Sequence, residues 1–217
     1  MIQNGAAMTV KTSGKKSYIE KECHQKATIM NRSLSNESGI LKAAHFAANK
    51  HRDQRRKGEE NSPYINHPIA VAETLTSIGG ITDLTTIQAA LLHDTVEDTK
   101  TTAEELALQF GDEVMNLVME VTDDKTLGKA ERKRLQVEHT KHLSDSAKMI
   151  KIADKISNVT DIMTVPPKDW DDERRLEYFT WAERVVKGCR GVNIELSNRF
   201  DELVGAARQK INQGSDS

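Results

Sequence analysis

The most informative stretch of the sequence is Leu91-Leu92-His93-Asp94-Thr95-Val96-Glu97-Asp98. Apolar residues lead directly into a histidine and three acids, which predicts a helix whose buried end opens on a polar pocket. Residues four apart share one face of a helix, so His93 would lie beside Glu97. One turn would then offer a nitrogen and carboxylates to a metal ion, a layout suited to metal-assisted hydrolysis. A solvated helix end is the alternative that this stretch leaves open.

Two further segments bring candidate ligands. Pro68 suits the first turn of a helix, so His67 would stand at a helix entrance on a stiff backbone. A turn or capping histidine is the alternative there. In residues 147–158 the apolar positions form a helical stripe that contains Asp154. A buried acid is costly unless something pairs with it, and a salt bridge to Lys151 or Lys155 is the alternative for that acid.

These segments together predict a mixed donor set of two nitrogens and two carboxylates, from His67, His93, Asp94 and Asp154. Such a set suits Mn, Fe or Zn with open positions for water and substrate, and spacing alone does not select among these metals. A thiolate zinc site is not expected, because soft ligands are absent from the set. Glu97 could take a proton from a bound water, directly or through Asp98.

The motif series resembles that of the HD-domain metal-dependent phosphohydrolases. Four stretches are similar to the hydrolase domain of the RelA/SpoT proteins: HRDQRRKGEENSPYINHPIAVAE (51–73), AALLHDTVEDT (89–99), VTDDKTLGKAERKRLQVEHT (121–140) and KIADKISNV (151–159). The similarity is greatest to the stand-alone small alarmone hydrolases of animals, the metazoan SpoT homologues. It covers about Ile40 to Arg199, and several motifs in the right order are far more specific than any one of them.

The resemblance implies an all-α fold, a helical bundle of the HD-domain type around one metal ion, usually Mn²⁺. It also implies hydrolysis of the 3′-diphosphate of guanosine tetra- or pentaphosphate, with release of pyrophosphate. By position, the implied metal ligands are His67, His93, Asp94 and Asp154, and the acids that handle the attacking water are Glu97 and Asp98. The implied substrate contacts are Arg56, Lys57, Lys129, Asn158, Arg174 and Tyr178.

Other functions remain open from the sequence. A nucleotide with a phosphate on its ribose presents a similar target, so an NADPH 2′-phosphatase using the same site is the leading alternative. A metal-dependent nucleotide sensor without catalysis is a second alternative, although Glu97 and Asp98 argue against it because a binding protein has no need to activate water. Zn²⁺ or Fe²⁺ in place of Mn²⁺ also stays open.

Composition bounds these expectations. The 217 residues carry a net charge of -2, so no general attraction to nucleic acid is implied. With 29% charged residues and only 12 Gly and 4 Pro, the chain favours helices with polar outer faces. No apolar run approaches the ~20 residues of a membrane span. Cys23 and Cys189 are too few for a disulfide framework, which fits a cytoplasmic setting. A homodimer is left open.

Three regions are expected along the chain: a disordered extension over 1–38 with a short helix near Tyr18 to Lys26, an HD-domain hydrolase over 39–205, and a tail over 206–217. Residues 53–66 are predicted to form a loop, with room for a small hairpin. The helices are predicted at Ile40–Arg52, Pro68–Ser77, from the cap Asp83 through the His-Asp pair, Thr102–Gly111, Asp112–Thr122, Lys129–His142, Ser146–Met163, Asp171–Lys187 and Asn193–Ile211. Bifunctional proteins of the RelA/SpoT type make the alarmone in a separate synthetase domain. The chain beyond Arg199 is too short for such a domain, so hydrolysis without synthesis is expected.

Overall fold

The structure, a computed structural model, describes residues 36–58 and 60–214. The chain divides into Met1–Gly39 and Ile40–Ser217, and the core and the site lie in the second unit. The predicted disordered extension and the short helix near Tyr18 fall almost wholly outside the described residues. The domain boundaries after residues 38 and 205 stay predictions, although the last helix continues to Gly214 and buries Ala207.

The described residues form helices and no strand, so the all-α prediction is confirmed. In chain order the helices are α1 (36–50), α2 (Asn66–Ser77), α3 (Leu84–Leu92), α4 (Thr95–Asp98), α5 (Ala103–Phe110), α6 (Asp112–Val121), α7 (Lys129–His139), a 3-10 turn (Thr140–His142), α8 (Asp145–Thr164), α9 (Asp172–Cys189) and α10 (Ile194–Gly214). Within the described ranges, no helix is both long enough and apolar enough to cross a membrane.

Side-chain caps explain why several helices begin where they do. Asp83 accepts hydrogen bonds from the backbone N–H and the hydroxyl of Thr86, as its predicted capping role requires. Thr102 accepts the backbone N–H of Glu105 at 3.2 Å. The spacing of Thr102 and Glu105 predicts a capping box, but only half of it forms, because the Glu105 carboxylate pairs with Lys50 at 2.7 Å instead of returning to the cap.

Helix α8 is the central element of the bundle. It contacts α2, α3, α6, α9 and α10, and its residues Ile150, Ile152, Ala153 and Val159 are fully buried. Apolar faces of the surrounding helices close over this helix, since burying those faces is the main stabilising term of such a bundle. Helix α7 buries no residue and lies at the surface, as its charged sequence predicted.

One predicted element is wrong in detail. The stretch 91–98 was expected to be a continuous helix, but α3 ends at Leu92 and the short helix α4 begins at Thr95. Side chains take the carbonyls that would continue the helix: His93 Nδ1 donates to Ala90 at 2.7 Å, and the Thr95 hydroxyl donates to Leu92 at 2.6 Å. His93 and Glu97 therefore do not belong to one regular helix.

The loop over 53–66 folds back on itself. Arg55 and Pro63 form an isolated antiparallel bridge, and the N–H of Tyr64 donates to the carbonyl of Gln54 at 3.1 Å. The small hairpin that the sequence allowed is present in this reduced form. It fixes the backbone that leads into α2 and holds it beside α8.

A glycine permits close contact between α9 and the 3-10 turn. A Cβ atom on Gly188 would lie 2.6 Å from Thr140 Oγ1 and 3.2 Å from the backbone nitrogen of Lys141. Thr140 is buried, and its hydroxyl donates to the carbonyl of Gln136 at 2.9 Å, so it cannot move away cheaply. Gly205 in α10, by contrast, is exposed and has open space around it.

We expect opposite effects when alanine replaces these two helical glycines. Gly188→Ala should lower the free energy of unfolding by about 1–3 kcal/mol, because it overpacks a tight contact. Gly205→Ala should raise it by about 0.5–1 kcal/mol, because alanine loses less backbone freedom in a helix. Urea denaturation of both variants measures the difference, and equal shifts in the two would contradict the close contact at Gly188.

Candidate metal centre and substrate cleft

His67 lies in the first turn of α2 and is buried. Its Nδ1 is 3.0 Å from the hydroxyl of Ser157, and its Nε2 is 3.1 Å from Asp154 Oδ1. A hydroxyl can accept the Nδ1 hydrogen, which leaves the Nε2 lone pair directed at the centre of the cluster. Burial lowers the pKa of His67 and favours the neutral imidazole, the form that binds metals.

His93 caps the end of α3 and is also buried. Because a carbonyl only accepts, Nδ1 must donate to Ala90, and this directs Nε2 toward Asp94 Oδ2 at 3.1 Å. Nε2 nevertheless has no well-aligned hydrogen-bond partner. Burial alone would lower the pKa of His93, but the charges of Asp94 and Asp154 outweigh it and raise that pKa to about 9.

Asp154 projects from α8 into the same cluster, and both of its oxygens are engaged. Oδ2 accepts from Lys155 Nζ at 2.6 Å, while Oδ1 accepts from Asn158 Nδ2 at 2.6 Å and faces His67. Burial would raise the pKa of Asp154, yet the charge of Lys155 holds it well below its ordinary range. The salt bridge to Lys155, which the sequence left open as an alternative, is therefore present, and Asp154 also faces His67.

Asp94 completes the cluster from the break between α3 and α4. Its Oδ2 accepts the hydroxyl hydrogen of Tyr64 at 2.6 Å and lies 3.6 Å from His67 Nε2. Burial acts to raise the pKa of Asp94, but His93 and His67 overcome it and keep that pKa below its ordinary value. A carboxylate and two imidazoles thus meet without any intervening apolar group.

The donor atoms fit a metal ion. One ligand atom each from His67, His93 and Asp154 lies within 4.8 Å of the others, and Asp94 Oδ2 borders two of these atoms. The buried His93 Nε2 without an aligned partner is the feature that a cation would satisfy. Two imidazole nitrogens with carboxylate oxygens suit Mn, Fe or Zn.

Two acids lie beside the donor set, on α4. Glu97 Oε1 is 3.2 Å from Arg132 Nη1, and its Oε2 accepts the backbone N–H of Asp123 at 3.3 Å. Burial, together with the charges of Asp123 and Asp94, raises the pKa of Glu97. Asp98 accepts from Gln54 Nε2 at 2.9 Å and pairs with Lys125.

Arg56 and Asn158, both predicted substrate contacts, are joined to each other and to the ligand cluster. Arg56 donates to Asp161 at 2.7 Å and to Asn158 Oδ1 at 2.7 Å. Asn158 in turn donates to Asp154. Although burial acts against it, the Asp161 charge raises the pKa of Arg56, so the guanidinium stays charged and fixed in place.

Cations gather in a second wall of the cleft, formed by Lys57 and by residues of α7 and α9. Burial, together with the charges of Arg174 and Lys57, lowers the pKa of Lys129, so both of these cations lie close enough to repel Lys129. Burial and the charges of Lys129 and Arg174 likewise lower the pKa of Lys133. An excess of positive charge in one wall is the arrangement that a polyphosphate would neutralise.

Aromatic rings line the same wall. Lys133 and Lys155 each place an ammonium nitrogen 4.6 Å from the ring centre of Trp181. The guanidinium of Arg174 lies 5.1 Å from the ring centre of Trp170. Tyr178 packs between the two tryptophans, and burial raises its pKa to about 12. This wall offers both stacking surfaces and positive charge.

These features enclose one cleft with a volume of about 490 Å³. Every predicted site residue lines it: His67, His93, Asp94, Asp154, Glu97, Asp98, Arg56, Lys57, Lys129, Asn158, Arg174 and Tyr178. The structure therefore brings the whole set together, while the role of each residue stays a prediction.

Several lining residues were missed from the sequence: Gln54, Tyr64, Arg132, Lys133, Lys155, Trp170 and Trp181. Helical spacing could have indicated two of them, since Lys133 follows Lys129 by four residues and Trp181 follows Tyr178 by three. Lys155 was considered only as a salt-bridge partner. Tyr64 lies on the hairpin loop, where spacing gives no guide to direction.

The fold and the His-Asp cluster define a class of protein. A family model for the HD domain matches residues 43–179, so the chain belongs to the HD-domain family. The resemblance noted from the motifs is therefore confirmed at the level of the family.

Curated relatives cover most of the chain. The human protein named guanosine-3′,5′-bis(diphosphate) 3′-pyrophosphohydrolase MESH1 is 57% identical over 164 residues, which is 76% of this chain and 92% of the relative. The Drosophila melanogaster protein of the same name is 47% identical over 164 residues, with the same two shares covered. A solved structure of a metazoan orthologue of SpoT, described as hydrolysing ppGpp with a role in starvation responses, superposes with a TM-score of 0.75 at 46% identity and covers 77% of this chain and 94% of that one.

We expect Asp154→Ala to abolish metal binding. Loss of a direct ligand should lower the affinity for Mn²⁺ by more than about 100-fold, since disturbing only a ligand's hydrogen-bond partner costs 10- to 100-fold. Calorimetric titration with Mn²⁺ measures this, with Asp172→Ala on the exposed start of α9 as the control. Because the substitution strands the buried Lys155 cation at a cost of about 3–5 kcal/mol, the double variant Asp154→Ala/Lys155→Met separates metal loss from unfolding. Full Mn²⁺ retention in the folded double variant would refute the ligand role.

Proposed function

We propose that this chain is a metal-dependent 3′-pyrophosphohydrolase that converts guanosine tetra- or pentaphosphate and water to GDP or GTP and pyrophosphate. The observation that carries the proposal is one cleft in which a His-Asp donor set, two adjacent acids and a cationic aromatic wall face one another. The names of the relatives in human and Drosophila melanogaster support the same reaction.

In this proposal His67, His93, Asp94 and Asp154 hold one Mn²⁺ ion. When bound, the ion would lower the pKa of a bound water and polarise a phosphorus–oxygen bond. Bound to the ion, the carboxylates of Asp94 and Asp154 would be ionised and the imidazoles of His67 and His93 neutral, so all four side chains would act as donors. Zn²⁺ and Fe²⁺ fit the same donors, and the metal content of the purified protein decides among them.

Glu97 is the proposed general base. The water oxygen bonds to the phosphorus attached to the ribose 3′ oxygen, and Glu97 takes the released proton directly or through Asp98. The bond from that phosphorus to the 3′ oxygen breaks, the 3′ oxygen gains a proton, and pyrophosphate leaves. The raised pKa of Glu97 suits this role, because a base that binds its proton more tightly is a better acceptor at neutral pH.

The substrate contacts divide between the two sides of the cleft. Arg56 and Asn158 lie beside the donor set and are held by Asp161 and Asp154, so they could orient the ribose and the base. Lys57, Lys129 and Arg174 would neutralise the phosphates as charge shifts in the transition state. Tyr178 belongs to the aromatic wall on which a flat base could stack.

We propose a cytoplasmic location for this reaction. Cys189, the free cysteine of the described residues, is buried, and burial raises the pKa of its thiol to about 11. A reduced, unreactive thiol is in keeping with the cytoplasm. Formation of a homodimer stays a prediction.

Product analysis of the purified protein tests the proposal. With Mn²⁺ and guanosine tetraphosphate, we expect GDP and pyrophosphate in equal amounts, and chelation of the metal should stop their release. NADPH is assayed in parallel: phosphate and NADH from NADPH alone would reject the alarmone reaction in favour of the 2′-phosphatase. Binding of both nucleotides without turnover of either would instead support a sensor.

Glu97→Gln tests the proposed base. The amide keeps the shape of the side chain but cannot take a proton, so turnover should fall by about 10²- to 10⁴-fold while Mn²⁺ and nucleotide binding persist. Glu113→Gln on the exposed side of α6 makes the same chemical change away from the cleft and should match the parent. Turnover close to that of the parent in Glu97→Gln would remove Glu97 from the mechanism.

A further inference from the structure

A chain of three side chains leads from the end of α1 to Asp98. His51 Nδ1 lies 2.7 Å from Gln54 Oε1, and Gln54 Nε2 lies 2.9 Å from Asp98 Oδ2. His51 is buried and only 2% exposed. Neither His51 nor Gln54 has a part in the proposed reaction.

The direction of each hydrogen bond follows from the groups involved. An ionised carboxylate can only accept, so Gln54 must turn its amide nitrogen toward Asp98 and its carbonyl oxygen toward His51. That oxygen in turn needs a donor, so His51 Nδ1 must carry a hydrogen. The imidazole therefore prevents the amide from flipping, and the amide holds one oxygen of Asp98 in place.

The backbone around these residues is also fixed. The N–H of Gln54 donates to the carbonyl of His51 at 2.9 Å, and the carbonyl of Gln54 accepts the N–H of Tyr64 at 3.1 Å. The His51 ring stacks on Tyr64 with centroids 4.8 Å apart, and the Tyr64 hydroxyl donates to Asp94. The segment from His51 to Tyr64 thus supports two carboxylates: Asp98 through the Gln54 amide, and Asp94, a proposed metal ligand, through the Tyr64 hydroxyl.

The other contact of Asp98 is weaker support for its position. Lys125 pairs with Oδ1, but the Lys125 side chain is 46% exposed on the loop between α6 and α7. Exposed ion pairs contribute little and lose side-chain entropy when they form. The neutral, partly buried Gln54 amide is therefore the contact that defines where the Asp98 carboxylate stands.

We infer that His51 and Gln54 are positioning residues for catalysis: His51 sets the orientation of the Gln54 amide, and that amide sets the position of Asp98 beside Glu97. The inference rests on the proposed function, because it gives Asp98 a part in handling the water. Positioning acts on the chemical step, since a displacement of about 1 Å can cost about 100-fold in rate. The substrate contacts Arg56 and Asn158 are held by Asp161 and Asp154 and not by Gln54, so substrate affinity should hardly change.

Gln54→Leu removes the amide and keeps a side chain of similar size. We expect kcat to fall by about 10- to 100-fold with KM changed by less than about threefold, and the affinity for Mn²⁺ to match that of the parent. Gln109→Leu, the same change on the exposed side of α5, is the matched control. Thermal denaturation of both variants shows whether a loss of folded protein contributes.

Substitution of His51 separates a positioning role from a packing role. His51→Phe keeps a ring on Tyr64 but loses the Nδ1 hydrogen, so kcat should fall by about tenfold or more. His51→Asn loses the ring, but its amide nitrogen can donate from the place of Nδ1, so kcat should return to within about threefold of the parent. His45→Phe on the exposed side of α1, the helix that ends just before His51, is the control.

The outcomes distinguish this inference from the proposed function. If Gln54→Leu and His51→Phe keep the kcat of the parent while Glu97→Gln loses turnover, the positioning role is overturned. The proposed pyrophosphohydrolase activity then still stands. A greater loss in His51→Asn than in His51→Phe would mean that packing matters and orientation does not, which also overturns it. Full turnover in Asp98→Asn would overturn the inference together with the proposed part of Asp98.

Discussion

The buried carboxylate of Asp154 is the constraint on which the rest of the site depends. A lone carboxylate in the interior would be costly, and here both oxygens have partners: Lys155 donates to one oxygen, and Asn158 donates to the other, which also faces His67. Asn158 then holds Arg56, and Lys155 lies against Trp181. The position of one acid on α8 therefore fixes the ligand cluster and part of each wall of the cleft.

Much of the fold could be predicted because its signals are local. The side chains of Asp83 and Thr102 cap the first turns of their helices, so these helix starts can be predicted from the residue types. Glycines and prolines predict the helix ends within a few residues. The predicted site residues could be grouped because four motifs keep a recognisable order along the chain. Contacts between residues distant in the chain could not be predicted from the sequence. The Glu105 carboxylate pairs with Lys50 and not with its own helix cap. Lys133 lines the cleft because α7 packs beside α9.

The break after Leu92 shows why local periodicity misled. Two side chains, His93 and Thr95, satisfy carbonyls that a continuous helix would have used, so the backbone can turn without leaving buried polar groups unpaired. The turn sends Asp94 toward the histidines and Glu97 toward Arg132 and Asp123.

The crowding of positive charge in the wall formed by α7 and α9 has a kinetic consequence. The chain as a whole carries a net charge of -2, so at long range it is nearly indifferent to anions. Within the cleft, however, burial and the charges of Arg174 and Lys57 lower the pKa of Lys129, so the local field is positive. A highly charged nucleotide would be guided into the cleft over the last ten or so ångströms, about one Debye length at moderate salt. Rising ionic strength would then slow capture of the nucleotide before it affects the bond-breaking step.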